Sequence, residues 1–257
     1  MLVERDKIVG VIGGLGPEAT LDFFGKILEA TTAATDQDHL HLIIDNNPLA
    51  PDRTEAVAGI GPSPGPSLAC TALRLEEAGA EVLVMVCNTA HAFSNSITDV
   101  VQIPFLNIIE VTCEAAMKAR PSLQRAGVLA TEGALSAGLY EDALNARGIE
   151  HVALEGASRA RFMELIMRIK GGDKSDEVRT GMRLLALELV ELGAEVIIAG
   201  CTEVPLVLDA EDYKCPLVNS TDALVTRTIQ YARYNDDDLE PTPEIRRHFS
   251  LAQAGAR

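Results

Sequence analysis

The chain has 257 residues, 47% hydrophobic and 23% charged, a balance that supports a sizeable buried core. A net charge of −16 and only 4% aromatic residues, without tryptophan, argue against nucleic acid and anionic membrane surfaces as partners. No apolar run approaches the ~18 residues of a membrane span, and five cysteines with no CxxC pair suit reduced thiols in a cytoplasm better than disulfides or zinc.

In chain order, short Val/Ile/Leu runs alternate with longer amphipathic stretches, the pattern of an α/β protein with mostly parallel strands buried on both faces. Strands are expected at 7–12, 41–44, 81–86, 105–106, 126–129, 151–154, 195–199 and 217–218. Helices are expected between them, at 17–31, 67–78, 108–119, 137–146, 159–170, 175–192 and 221–234. Pro17 fits a first helical turn, and Gly79, Gly148, Gly171 and Gly193 fit positions just past helix ends. The Pro- and Gly-rich segment 45–67 lacks periodicity and reads as a long loop at the carboxyl end of a strand, where α/β folds bind ligands. The polar stretch 235–257 reads as a disordered tail.

The first strand–helix junction, Gly14-Leu15-Gly16-Pro17-Glu18-Ala19, satisfies G-x-G-x-x-[GA], and Asp45 closes the next strand. A dinucleotide-binding domain is therefore one reading. Against it, Asp45 lies well beyond the ~20 residues expected for a ribose-binding acid, and the second half of the chain (Ala130-Thr131-Glu132-Gly133) has no such glycines. In either reading the junction offers backbone N–H groups to a carboxylate or phosphate.

One phrase occurs twice. Gly79-Ala80-Glu81 leads through an apolar run to Cys87-Asn88-Thr89, and Gly193-Ala194-Glu195 leads through another to Cys201-Thr202-Glu203. The copies align without a gap, and weaker matches extend them: 103–110 with 215–222, and 10–13 with 127–130. Two similar, pseudo-symmetric α/β lobes follow, 1–115 and 116–222, with a final helix 223–234 that packs back on the first lobe. A lone cysteine is most often a core residue, and Cys70, Cys113 and Cys215 are assigned to that class. Cys87 and Cys201 differ because they recur at matching strand ends, where a following helix would lower the thiol pKa. Two thiols facing one cleft can take a proton from one face of a carbon and return it to the other. A redox pair is disfavoured, since neither cysteine has a resolving cysteine nearby.

These residues carry a resemblance to the cofactor-independent aspartate/glutamate racemase superfamily, closest to its aspartate racemase branch. The matching motifs are Gly13-Gly14-Leu15-Gly16-Pro17-Glu18-Ala19-Thr20, Met85-Val86-Cys87-Asn88-Thr89-Ala90-His91 and Gly200-Cys201-Thr202-Glu203-Val204-Pro205-Leu206. Ala130-Thr131-Glu132-Gly133 and Ser136-Ala137-Gly138-Leu139-Tyr140 fit as well, and the resemblance runs from about residue 7 to 234. It implies an active site between the lobes, with Cys87 and Cys201 as the catalytic pair and no cofactor or metal. It also implies Arg53 and Lys170 around a distal carboxylate, and Asn88, Thr89, Thr131 and Thr202 around the α-carboxylate and amino group. Arg53 and Lys170 taken alone read as solvated surface charges. Glu203, where glutamate racemases usually carry His, favours aspartate. His91 reads either as tuning the thiolate or as a structural hydrogen-bonding group. The expectation is a cytoplasmic, homodimeric amino-acid racemase acting on a small acidic amino acid. Glutamate or broad specificity, a single-cysteine nucleophile as in maleate isomerase or arylmalonate decarboxylase, and a non-catalytic binding protein are the alternatives.

Overall fold

The computed structural model describes residues 5–209 and 215–234; the expected tail, 235–257, lies outside the described residues. Two four-stranded parallel sheets form the molecule. The first has the order β2-β1-β3-β4, from β1 (Val9–Gly13), β2 (Leu42–Asn46), β3 (Val82–Met85) and β4 (Phe105–Leu106). The second repeats it as β6-β5-β7-β8, from β5 (Arg125–Leu129), β6 (Glu150–Ala153), β7 (Val196–Ala199) and β8 (Leu217–Asn219). The helices are α1 (Pro17–Ala30), α2 (Arg53–Val57), α3 (Gly65–Glu77), α4 (Asn95–Thr98), α5 (Ile108–Ala119), α6 (Glu132–Ser136), α7 (Leu139–Asn145), α8 (Gly156–Lys170), α9 (Asp176–Glu191) and α10 (Ser220–Tyr234). The α/β class and the two-lobed architecture are those expected from the sequence. Two local differences stand out. The segment 45–67 holds the short helix α2, capped by the Asp52 side chain accepting from Glu55 N–H. The helix expected over 137–146 is α7, and a further short helix, α6, that was not expected precedes it across a turn at Ala137 and Gly138.

The repeated phrase has a physical basis at every position. Gly79 (φ 99°) and Gly193 (φ 93°) take the left-handed conformation that ends α3 and α9. The next residue closes the helix end, Ala80 N–H donating to Leu75 and Ala194 N–H to Leu189, each at 3.0 Å. Both alanines lie under a glycine of the neighbouring central strand: a Cβ on Gly10 would come 2.8 Å from Ala80, and one on Gly127 2.8 Å from Ala194. Any side chain there would push the helix off the sheet. Glu81 and Glu195 then accept the backbone N–H of Ile8 and Gln124, each at 2.8 Å, and so align the central strand's entry. The apolar runs that follow are fully buried in β3 and β7, each large aliphatic side chain contributing about 1.5–3 kcal/mol.

The last helix of each half lies at the junction of the lobes. α5 leaves the first sheet and packs on β7, β8 and α7, whereas α10 leaves the second and packs on α1, β3 and β4. The two helices also pack on each other. Lys7 N–H donates to Ala232 O at 2.8 Å, and Lys26 on α1 sits between Asp22 at 3.1 Å and Asp222 of α10 at 2.7 Å. One continuous apolar cluster therefore runs from Phe23 and Val84 through Ile108 to Val128 and Leu224.

Candidate active site

Within each sheet the chain reverses its direction of build between the two central strands, and the loops that leave those strands' carboxyl ends open on one crevice. β1 delivers the glycine turn, β3 delivers Cys87, β5 delivers Thr131 and β7 delivers Cys201. A small, closed pocket there is lined by Leu15, Asp52, Arg53, Thr54, Cys87, Asn88 and Thr89 from the first half. Thr131, Lys170, Cys201, Thr202 and Glu203 line it from the second. All eight residues singled out from the sequence meet in this pocket. A larger open groove between α8 and α9, lined by Ala157, Arg161, Glu177 and Leu184 among others, contains none of them and no cysteine.

Cys87 and Cys201 are 8% and 6% exposed. Their surroundings differ from the expectation of a pKa lowered by a helix. Only the one-turn 3-10 segments Thr89–Phe93 and Val204–Leu206 follow them, too short for an effective dipole. Burial dominates instead. It raises the Cys87 pKa, with Arg53 and Lys170 lowering it and Glu203 raising it. Cys201 is pushed up further, first by burial and then by Glu203, against the pull of Lys170. The other thiols are separate: Cys113 is buried, Cys215 half-buried, and Cys70 is exposed on α3 rather than part of the core. Cys70 departs from expectation because its helix position faces solvent, which residue type alone does not reveal.

Two cations reach the pocket. Arg53, the first residue of α2, donates through Nη1 to the carbonyls of Ala50 (3.3 Å) and Pro51 (3.1 Å), and through Nη2 to that of Leu15 (3.0 Å). These neutral partners orient the guanidinium without cancelling its charge. Lys170 ends α8; desolvation works to lower its pKa, but Glu203 and the two thiols outweigh it and leave it raised. Thr89 and Thr131 share a hydrogen bond across the lobes at 2.7 Å. Asn88 is held on both sides, its Oδ1 accepting from Tyr140 Oη at 2.7 Å and its Nδ2 donating to Ser220 Oγ at 3.0 Å. Its side chain is thus largely occupied in tying α7 and α10 to the loop beside Cys87.

His91 resolves in favour of a structural group. Its Nε2 accepts from Ile108 N–H at 3.2 Å, which leaves Nδ1–H to donate to Cys87 O at 2.8 Å. It stacks on Phe105 at 5.3 Å, and burial depresses its pKa to about 4, so it is neutral at physiological pH. Sequence reasoning did not foresee Glu203 as a pocket wall hydrogen-bonded to Cys201, nor Tyr140 as the tether of Asn88. Glu203 was visible as a residue two places beyond the second cysteine; Tyr140 left no signal beyond its place in a motif. Asp45, the acid of the dinucleotide reading, pairs instead with Arg74 at 2.5 Å.

A family model described as Asp/Glu/Hydantoin racemase matches residues 12–228, and the chain belongs to that family. Membership makes it an isomerase of the amino-acid racemase class. The chain is 26% identical over 234 residues to the broad specificity amino-acid racemase RacX of Bacillus subtilis, spanning 86% of this chain and 96% of the relative. Its structure is similar to Picrophilus torridus aspartate racemase, with a TM-score of 0.80 at 28% identity, covering 94% of this chain and 99% of that one. An aspartate racemase homologue from Pyrococcus horikoshii gives a TM-score of 0.70 at 25% identity over 88% of this chain and 99% of its own. Among the described residues no helix is long and apolar enough to cross a membrane.

Proposed function

We propose that the protein racemises an acidic amino acid, aspartate before glutamate, by cofactor-independent proton transfer between Cα and two thiols. One observation carries the reading: Cys87 and Cys201 leave equivalent strands of the two sheets and line a single pocket that also holds Arg53 and Lys170. Arg53 and Lys170 receive the distal carboxylate, the guanidinium offering planar, directional donors. Thr89, Thr131 and Thr202, with backbone N–H groups of the two cysteine loops, hold the α-carboxylate and ammonium, and Asn88 fixes the loop that presents them. One thiolate removes the α-proton while the opposite thiol delivers one to the other face. The carbanionic intermediate gains from fixed donors in a water-poor crevice.

Incubation of the pure protein, without added cofactor, with each enantiomer of aspartate, glutamate and several neutral amino acids tests this reading. The similarity to a broad specificity racemase is the reason to include the neutral set. Loss of optical rotation from either enantiomer of aspartate, abolished in Cys87→Ser and in Cys201→Ser, is the expected result. Wild-type rates in both single variants would refute it. A homodimer in the cytoplasm is part of the same reading, and light scattering checks the dimer.

A further inference from the structure

Cys87 and Cys201 occupy equivalent points of the two sheets, but only one of them has a carboxylate on its sulfur. Glu203 is 5% exposed; its Oε2 accepts from Cys201 Sγ at 3.0 Å and from Thr202 Oγ1 at 3.3 Å. Its other oxygen, Oε1, reaches the opposite lobe, where a Cβ on Gly16 would stand 2.6 Å from it. Gly16 is the residue before α1 and has no side chain to cap it, so the carboxylate packs directly on the backbone of the opposite lobe's glycine turn. The residue in the matching place after Cys87 is Thr89, whose hydroxyl is paired with Thr131. Cys87 also feels Glu203, but there Arg53 and Lys170 both oppose it, and no carboxylate is hydrogen-bonded to the Cys87 sulfur among the described residues.

We propose that Glu203 is a positioning residue that disfavours ionisation of Cys201, so that the first thiol to ionise is Cys87 and the two faces start the reaction unlike, Cys87 as the base and Cys201 as the thiol. The inference rests on the racemase reading and deepens it. In the favoured direction the α-proton passes to the Cys87 sulfur and the Cys201 S–H proton passes to the opposite face of Cα. One proton is taken and one is given, and the enzyme is left as Cys87 thiol and Cys201 thiolate. That thiolate lies hydrogen-bond distance from the Glu203 carboxylate, and like charges so close disfavour ionisation. Proton exchange with solvent at both sulfurs then restores the resting state. The opposite enantiomer needs the rarer starting form. Because two enantiomers have equal free energies, kcat/KM is the same in both directions whatever Glu203 does. The asymmetry therefore shows in kcat and KM separately, and in the thiol titrations.

The groups facing Cys201 are Glu203 from its own loop, Lys170 from α8, and Cys87 and Arg53 from the other lobe; Asp52 lines the same pocket. The test is a pH titration of thiolate ultraviolet absorbance in substrate-free wild type, Cys87→Ser, Cys201→Ser and Glu203→Gln. Cys70, Cys113 and Cys215 contribute equally to each and cancel in the differences. The step missing from Cys201→Ser is expected at higher pH than the step missing from Cys87→Ser. Glu203→Gln is expected to lower the Cys201 step by about 1–3 pH units, the effect of removing one adjacent like charge. It should also bring the kcat values of the two enantiomers closer together. A Glu203 that merely supports the fold would change rates and leave that step in place. An unmoved step in Glu203→Gln, or a Cys201 step below that of Cys87 in the wild type, overturns the proposal. The wild-type ordering decides the matter even if Glu203→Gln does not fold. Since the titration needs no substrate, its outcome is independent of whether aspartate is racemised.

Discussion

Arg53 and His91 show how differently two polar side chains near one cysteine act. Arg53 is oriented by three backbone carbonyls that leave its charge available to a ligand. Arg53→Ala is expected to weaken aspartate turnover about 10–100-fold in kcat/KM, the loss of one charge-assisted hydrogen-bonding group, with Arg53→Lys recovering part of it. Steady-state kinetics on both enantiomers checks this. His91 is 4% exposed and neutral, its pKa depressed from 6.5 to about 4. In the unfolded chain it takes a proton on acidification through 6.5 while the folded protein resists until about 4. Stability from this group is therefore complete above pH 6.5 and falls across that window, by up to about 3 kcal/mol. Urea unfolding as a function of pH should show the slope in wild type and a flatter curve in His91→Gln. The thiols set a second pH dependence, in the rate and at higher pH. Both pKa values are raised from 9.0, so the thiolate fraction is small at neutrality and the racemisation rate should climb through the alkaline range. A rate that reaches its plateau below neutral pH would show that burial does not govern the two pocket thiols. Cysteines at matching places were readable in the sequence because symmetry made them conspicuous. The partner of Cys201 was not, since a glutamate two residues away reveals nothing about where its carboxylate turns.

The elements divide the same way. Long apolar strands and amphipathic helices such as α5 and α9 express their periodicity over many residues, and their placement follows from it. The short pieces α2, α4 and α6 have four or five residues each, too few for periodicity to register. They are held by caps and by contacts across the cleft. α2 closes on α6, and the approach is set by Gly133, where a Cβ would stand 2.9 Å from Thr54 Cα and 2.8 Å from Thr89 Cγ2. Because a backbone atom is among the neighbours, Gly133→Ala must part the two helices and carry Arg53 away from the pocket. A stability loss of about 1–3 kcal/mol is expected from such overpacking, together with a larger proportional loss of kcat/KM. Thermal unfolding alongside kinetics separates the two; unchanged kinetics would show that the approach of α2 to α6 is not needed for catalysis. An ion pair between Lys174 and Glu18 bridges the lobes beside the same cleft.

At the scale of the whole molecule, the exchange of α5 and α10 makes the two lobes one cooperative body. The repeat predicted two similar halves with a final helix returning to the first lobe; the reciprocal crossing of α5 to the second lobe was not legible, because an amphipathic helix fits either sheet. The shared cluster implies a single unfolding transition. Leu224→Ala, at a fully buried site on α10, is expected to cost about 2–5 kcal/mol and to shift that transition as a unit, as seen by circular dichroism and calorimetry. Splitting into two transitions would mean the lobes are stable separately. The pseudo-symmetry that joins the lobes also brings a cysteine from each lobe to the pocket, and the proposed two-thiol reaction depends on it. The most direct measurement of that claim is the fate of deuterium when L-aspartate is converted in heavy water over the first few turnovers. Two thiols predict solvent deuterium at Cα of the D-product while the recovered L-aspartate keeps its protium. Deuterium entering the recovered substrate as fast as the product would mean that a single base serves both faces.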